Sequence, residues 1–247
     1  AYTSRVESLT YVKSDDTLWQ ANDYQTAPTG GMDAFTLQTT QTIPRAADFY
    51  GAANLGTTDK NYGEIETIAS DGGNTIYVVN TVNNRHLCGA DIEDLATIYK
   101  LERVSPSGDF SITDWHLLPS ASQCPDVPIC NYAAMVVIDG AIYFGGNREI
   151  HLYDYSSKSF SMNNPEITLD SNENLIRDMA YDGTYLWIIG YNSIQAKVLK
   201  FDWKSKVKVK EYDIYGLASP RGLAVTGDEI FIGENDSGYI NIHVFKE

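Results

Sequence analysis

Apolar and polar positions along this chain fall into one phrase that returns five times. A short apolar run meets a polar turn, and a second run rich in aliphatic and aromatic residues follows. The second runs are TLWQAN from Thr17, TIYVVN from Thr75, AIYFGG from Ala141, YLWIIG from Tyr185 and EIFIGE from Glu229. The turns before them are Asp15-Asp16, Asp71-Gly72-Gly73, Asp139-Gly140, Asp182-Gly183 and Gly227-Asp228. Short β-branched and aromatic runs broken by Asp/Gly clusters predict strand, tight turn, strand. No segment sustains the 3.6-residue period of a helix.

Between Asp15, Gly72, Asp139, Asp182 and Gly227 the steps are 57, 67, 43 and 45 residues. That repeat resembles the β-propeller architecture, in which each blade is a four-stranded sheet with loops of variable length. The expectation is an all-β chain forming a single five-bladed β-propeller of four-stranded antiparallel blades over residues 1–247. The blades fall roughly at 5–55, 62–120, 131–169, 175–215 and 221–247. The last stops one strand short, and Ala1–Arg5 is expected to supply its outer strand, closing the ring and removing an exposed edge. The basic run Lys204–Lys210 alternates Lys with Val and Ser, the pattern of a solvated outer strand.

Charge narrows the partners. Thirty-three acidic residues against 18 basic ones give a net charge of −15, a field that repels phosphate backbones and anionic lipid. Nucleic acid is not an expected partner. No apolar run approaches the ~18 residues of a membrane span, so membrane insertion is not expected either. Cys88, Cys124 and Cys130 point to an oxidising compartment, with Cys88 expected to pair with Cys124 or Cys130. Asn235-Asp236-Ser237 is an N-glycosylation acceptor pattern. These features lead to an expectation of a secreted or cell-surface protein.

Aligning the repeats on their turns gives each one position at the entrance to its first strand: Glu7, Glu66, Ala133, Arg177 and Arg221. The acids and arginines, with Asp178 beside Arg177, would meet at the mouth of the central channel. They would form a mutual ion-pair ring there, or bind a carboxylate or sulfate, or act as general acids and bases. A second candidate runs from Asp170 to Tyr181. Asp170, Asn172, Asn174 and Asp178 place oxygens at loop positions 1, 3, 5 and 9, which resembles the calcium loops of integrin-type propellers and implies Ca²⁺. It departs from them at Leu175, where the sharp turn needs glycine. Tyr153, Tyr155, Tyr191, Tyr215 and Tyr239 are candidates for stacking on sugars. No Gly-x-Ser-x-Gly elbow, phosphate loop or dinucleotide fingerprint occurs. The expected function is a non-catalytic binding or assembly module for a glycan or an extracellular protein. The rival expectation is a carbohydrate hydrolase or lyase using Glu7, Glu66 and Asp178.

Overall fold

The structure is a computed structural model and describes residues 4–14, 16–24, 31–36, 63–82, 97–103, 110–119, 132–161, 164–171, 175–191, 195–217, 219–236 and 239–247. Among these residues every helix or strand assigned is a β-strand, and the strands pair antiparallel.

The strands form five sheets in chain order. The first holds β1 (Ser4–Val12), β2 (Thr17–Tyr24) and β3 (Gly31–Thr36). The second holds β4 (Gly63–Ser70), β5 (Thr75–Val82), β6 (Thr97–Arg103) and β7 (Phe110–Leu117). In the third, β8 (Tyr132–Ile138), β9 (Ala141–Gly146) and β10 (Glu149–Asp154) are followed by β11 (Ser159–Phe160) and β12 (Ile167–Thr168), both paired to β10. The fourth holds β13 (Leu175–Tyr181), β14 (Tyr185–Tyr191), β15 (Ala196–Asp202) and β16 (Val207–Ile214). The fifth holds β17 (Pro220–Thr226), β18 (Glu229–Asp236) and β19 (Tyr239–Lys246).

The recurring phrase is the hairpin of the first two strands in each sheet. Its turns need left-handed backbone, which explains their composition. Asp139 and Gly140 sit at φ 52° and 80°, Gly72 at 79°, Gly183 at 101° and Gly227 at 57°.

The first strands gather around a common axis. β4 packs against β1 and β8, β13 against β8 and β17, and β17 against β1, so the series of contacts returns to its start. Each pair of neighbouring sheets buries an apolar layer between them. Examples are Trp19 with Ile68 and Val78, Phe144 with Val79 and Ile98, and Trp187 with Leu223 and Ile232. Val6, Leu9 and Leu18 meet Ala224 and Phe231 where the fifth sheet joins the first. The chain is an all-β propeller.

One expectation changes. Ser4 and Arg5 do not extend the fifth sheet; they continue β1 and pair with Tyr24 and Asp23 of β2. Ala1–Thr3 lie outside the described residues, and the fifth sheet has the order β17-β18-β19. The first and fifth sheets join instead by close packing. Val6 and Leu9 press so tightly on Gly222 and Gly233 that an added Cβ would lie 2.6 Å from Leu9 Cγ or Val6 Cγ1. The outer position of the basic run is as expected: among the described residues β16 pairs with β15 alone, and Val207 and Val209 are exposed along with Lys204, Lys208 and Lys210, while Lys206 is half-buried.

Candidate functional site

Each first strand carries one β-bulge at the same height. The register slips between Val6 and Ser8, Ile65 and Thr67, Tyr132 and Ala134, Ile176 and Asp178, and Pro220 and Gly222. The extra residues are Glu7, Glu66, Ala133, Arg177 and Arg221, the five positions aligned from the sequence. A bulge leaves its extra residue out of the ladder and turns the strand locally, a device common at barrel rims.

Two of these residues meet. Arg221 Nη1 donates to Glu7 Oε2 at 2.5 Å, across 214 positions of chain. Glu7 is buried and Arg221 remains about a third exposed. Arg177 differs from both. Its Nε is buried and, among the described residues, meets no hydrogen-bond acceptor. Burial pushes its pKa down, the neighbouring Arg221 cation pushes the same way, and Glu7 and Tyr191 oppose them. Glu66 is half-buried on β4.

The residues after the bulges, Ser8, Thr67, Ala134, Asp178 and Gly222, form the next layer down and all are buried. Asp178 ties this layer together. Its Oδ2 accepts the Leu9 amide at 2.9 Å and the Leu223 amide at 2.7 Å, while its Oδ1 accepts the Ser8 hydroxyl at 3.0 Å. The Ser8 oxygen in turn accepts the Ile68 amide at 3.3 Å and the Thr67 hydroxyl at 3.4 Å. One carboxylate thus joins β1, β13 and β17, with β4 attached through Ser8. Burial drives the Asp178 pKa well above the ordinary carboxylate range, against the donors that favour the anion.

This layer seals the axis beneath the rim. On its far side the channel opens as a cavity of about 370 Å³, walled by Thr10, Ala69, Val137 and Ala180 and by the hairpin turns. Two of the acids at that end serve their own turns. Asp71 accepts the Gly73 and Thr75 amides, and Asp182 accepts the Thr184 and Tyr185 amides and the Trp187 indole N–H.

The structure separates the other predicted residues. Asp178 belongs to the buried layer rather than to the exposed rim. Of the calcium set, Asp170 is exposed, Asp178 faces the axis, and Asn172 and Asn174 lie outside the described residues. Among the described residues no group of three His, Cys, Asp or Glu side chains is placed to hold a metal. Cys88, Cys124 and Cys130 also lie outside them. Tyr153 is fully buried against His116, Phe144 and Phe160 and offers no stacking face, whereas Tyr215 is exposed. Asn235 uses both ends of its amide. Val6 N–H donates to Oδ1 at 2.7 Å, and Nδ2 donates to the Val6 carbonyl at 3.0 Å. Sequence reasoning missed Ser8 and Thr67. Their signal was available: each directly follows a rim residue, as Asp178 follows Arg177.

No protein-family model matches the chain, and no curated protein matches it either. Its fold is similar to solved β-propeller structures at low identity. A Myxococcus xanthus glutaminyl cyclase aligns at TM-score 0.58 and 12% identity, over 99% of this chain and 93% of that one. A luciferin-regenerating enzyme aligns at 0.56 and 13%, over 98% and 90%. The structure of a nidogen/laminin complex aligns at 0.52 and 12%, over 98% and 80%. Enzymes and a binding complex stand side by side in this set, so the likeness establishes the fold alone.

Proposed function

We propose that the chain is a non-catalytic binding module, secreted or displayed at the cell surface. In this reading it is a five-bladed propeller that holds a glycan or an extracellular protein with the loops around its rim. The contact of β17 with β1 and the apolar layer between the last and first sheets support the five-blade count.

The observation that carries the binding reading is the commitment of the two central acids. Glu7 is held by Arg221 at 2.5 Å, and Asp178 is sealed under two amides and a hydroxyl. A general acid or base must reach the proton it moves, and a carboxylate enclosed in its own fold does not. The acidic composition and the three cysteines support the extracellular setting.

The test is incubation with a panel of neutral and acidic polysaccharides, followed by affinity electrophoresis and an assay for new reducing ends. Retardation without new ends is expected. New ends that disappear in Glu7→Gln would establish the carbohydrate hydrolase or lyase instead.

A further inference from the structure

We propose that Arg177 is the anchor for a carboxylate on the bound molecule, and that this molecule is an acidic sugar of the uronic acid class. The inference rests on the glycan form of the binding reading above. Its starting point is a half-buried guanidinium whose buried Nε meets no acceptor among the described residues, beside a second arginine that repels it. A buried charge is normally paired, because removing a partner leaves an uncompensated cation in a poorly solvated place. Arg221 holds Glu7 in a direct ion pair, while on Arg177 the same carboxylate acts as a neighbouring charge, and in this proposal an incoming anion supplies the direct partner.

Geometry favours a carboxylate. The β-bulge lifts Arg177 out of the β13 ladder at the mouth of the channel, directly above the sealed layer built on Asp178. The planar fork of a guanidinium matches a carboxylate with two parallel hydrogen bonds. A monoanion suits the site better than a dianion, because Glu7 lies close by and the whole chain carries −15. Tyr191, at the end of β14, is near enough to act on the Arg177 charge.

The experiment is calorimetric titration of the whole chain with D-glucuronate, D-glucose and acetate, on wild type, Arg177→Met and Arg177→Lys. Glucuronate is expected to bind at least tenfold more tightly than either glucose or acetate. Both variants should weaken it at least tenfold, the lysine because it keeps the charge and loses the fork. Arg177→Met should melt no lower than wild type, since it removes a charge that burial and Arg221 disfavour. Glucose binding equal to glucuronate and indifferent to Arg177 would overturn the anchor while leaving a glycan-binding module intact. Acetate binding as tightly as glucuronate would overturn the sugar assignment. A melting temperature several degrees lower in Arg177→Met, with glucuronate binding unchanged, would show that the arginine serves the fold and overturn the proposal. Failure of polysaccharide retention in the earlier test is a separate result and bears on the parent reading.

Discussion

Asn235 holds Val6 as a neighbouring strand would, its side-chain oxygen accepting the Val6 amide at 2.7 Å and its side-chain nitrogen donating to the Val6 carbonyl at 3.0 Å. One residue of β18 thereby supplies a strand-like pair of hydrogen bonds to β1, at the seam between the fifth and first sheets. Asn235→Ala should lower stability by about 1–2 kcal/mol, for two hydrogen bonds of roughly 1 kcal/mol each. Denaturant unfolding measures the loss, and hydrogen exchange at the Val6 amide should quicken ahead of the global rate. Asn235→Asp keeps the acceptor for Val6 N–H but sets a carboxylate against the Val6 carbonyl, so it should recover none of the second bond. The same amide nitrogen is the one a glycan would occupy. Protein secreted from a glycosylating host should therefore show faster Val6 exchange in any fraction that carries the sugar.

Asp178→Ala should be far more damaging. It strips the acceptor from the Leu9 and Leu223 amides and from the Ser8 hydroxyl, all buried. Unsatisfied buried donors cost about 1–3 kcal/mol each, so a loss of roughly 3–5 kcal/mol is expected after partial relaxation. Asp178→Asn can aim its oxygen at the two amides and its nitrogen at Ser8, whose hydroxyl hydrogen can turn to the Ile68 carbonyl at 3.4 Å. Its cost should stay near 1–2 kcal/mol. Equal losses in the two variants would show that hydrogen bonding at this carboxylate is not what holds the layer together.

The sheet seam predicts a steric effect with no polar component. In Gly222→Ala the new methyl meets Leu9 Cγ at 2.6 Å and the Leu9 backbone nitrogen at 3.1 Å. The backbone atom has little room to move, so a cost of about 1–3 kcal/mol from overpacking is expected. Leu9→Ala combined with Gly222→Ala should recover part of it. That non-additivity is the sign of direct contact and is read from a double-mutant cycle.

His116 gives the fold a pH dependence of known sign. Its Nε2 shares a 2.6 Å hydrogen bond with the Tyr153 hydroxyl, the Tyr155 ring packs edge-on, and Nδ1 is buried with no partner among the described residues. Burial lowers its pKa; Lys158 adds to the effect and Asp114 opposes it. In the unfolded chain the imidazole takes up its proton as pH falls through about 6.5, while the folded form stays neutral. The contribution to stability is thus complete above pH 6.5 and declines as pH falls from there toward the lowered folded pKa. His116→Gln should flatten the fall in melting temperature between pH 7 and pH 5.

Arg177 and Asp178 show where legibility in the sequence ends. Period-two alternation, Asp/Gly turns and the spacing of the repeat are properties of one hairpin, and a hairpin's register and twist are set by residues near one another in the chain. The aligned strands, the turns and even the height of the five bulge residues were therefore readable from the residues alone. Nothing local separates the two neighbours, yet one is a half-buried arginine at the rim and the other is the buried carboxyl group that joins three strands. Their roles depend on which layer of the axis each occupies once the sheets have packed. The Glu7–Arg221 pair spans 214 residues and the Asn235–Val6 pair 229, separations at which sequence carries no signal of contact. Ring closure followed the same rule. The extra residues at the start of the chain suggested a borrowed strand, but the tertiary structure commits Ser4 and Arg5 to β2 and joins the first and last sheets through glycines and a side-chain amide. Strand formation responds to the local alternation of side chains, whereas the distance between two first strands depends on the volume and hydrogen bonds of everything between them.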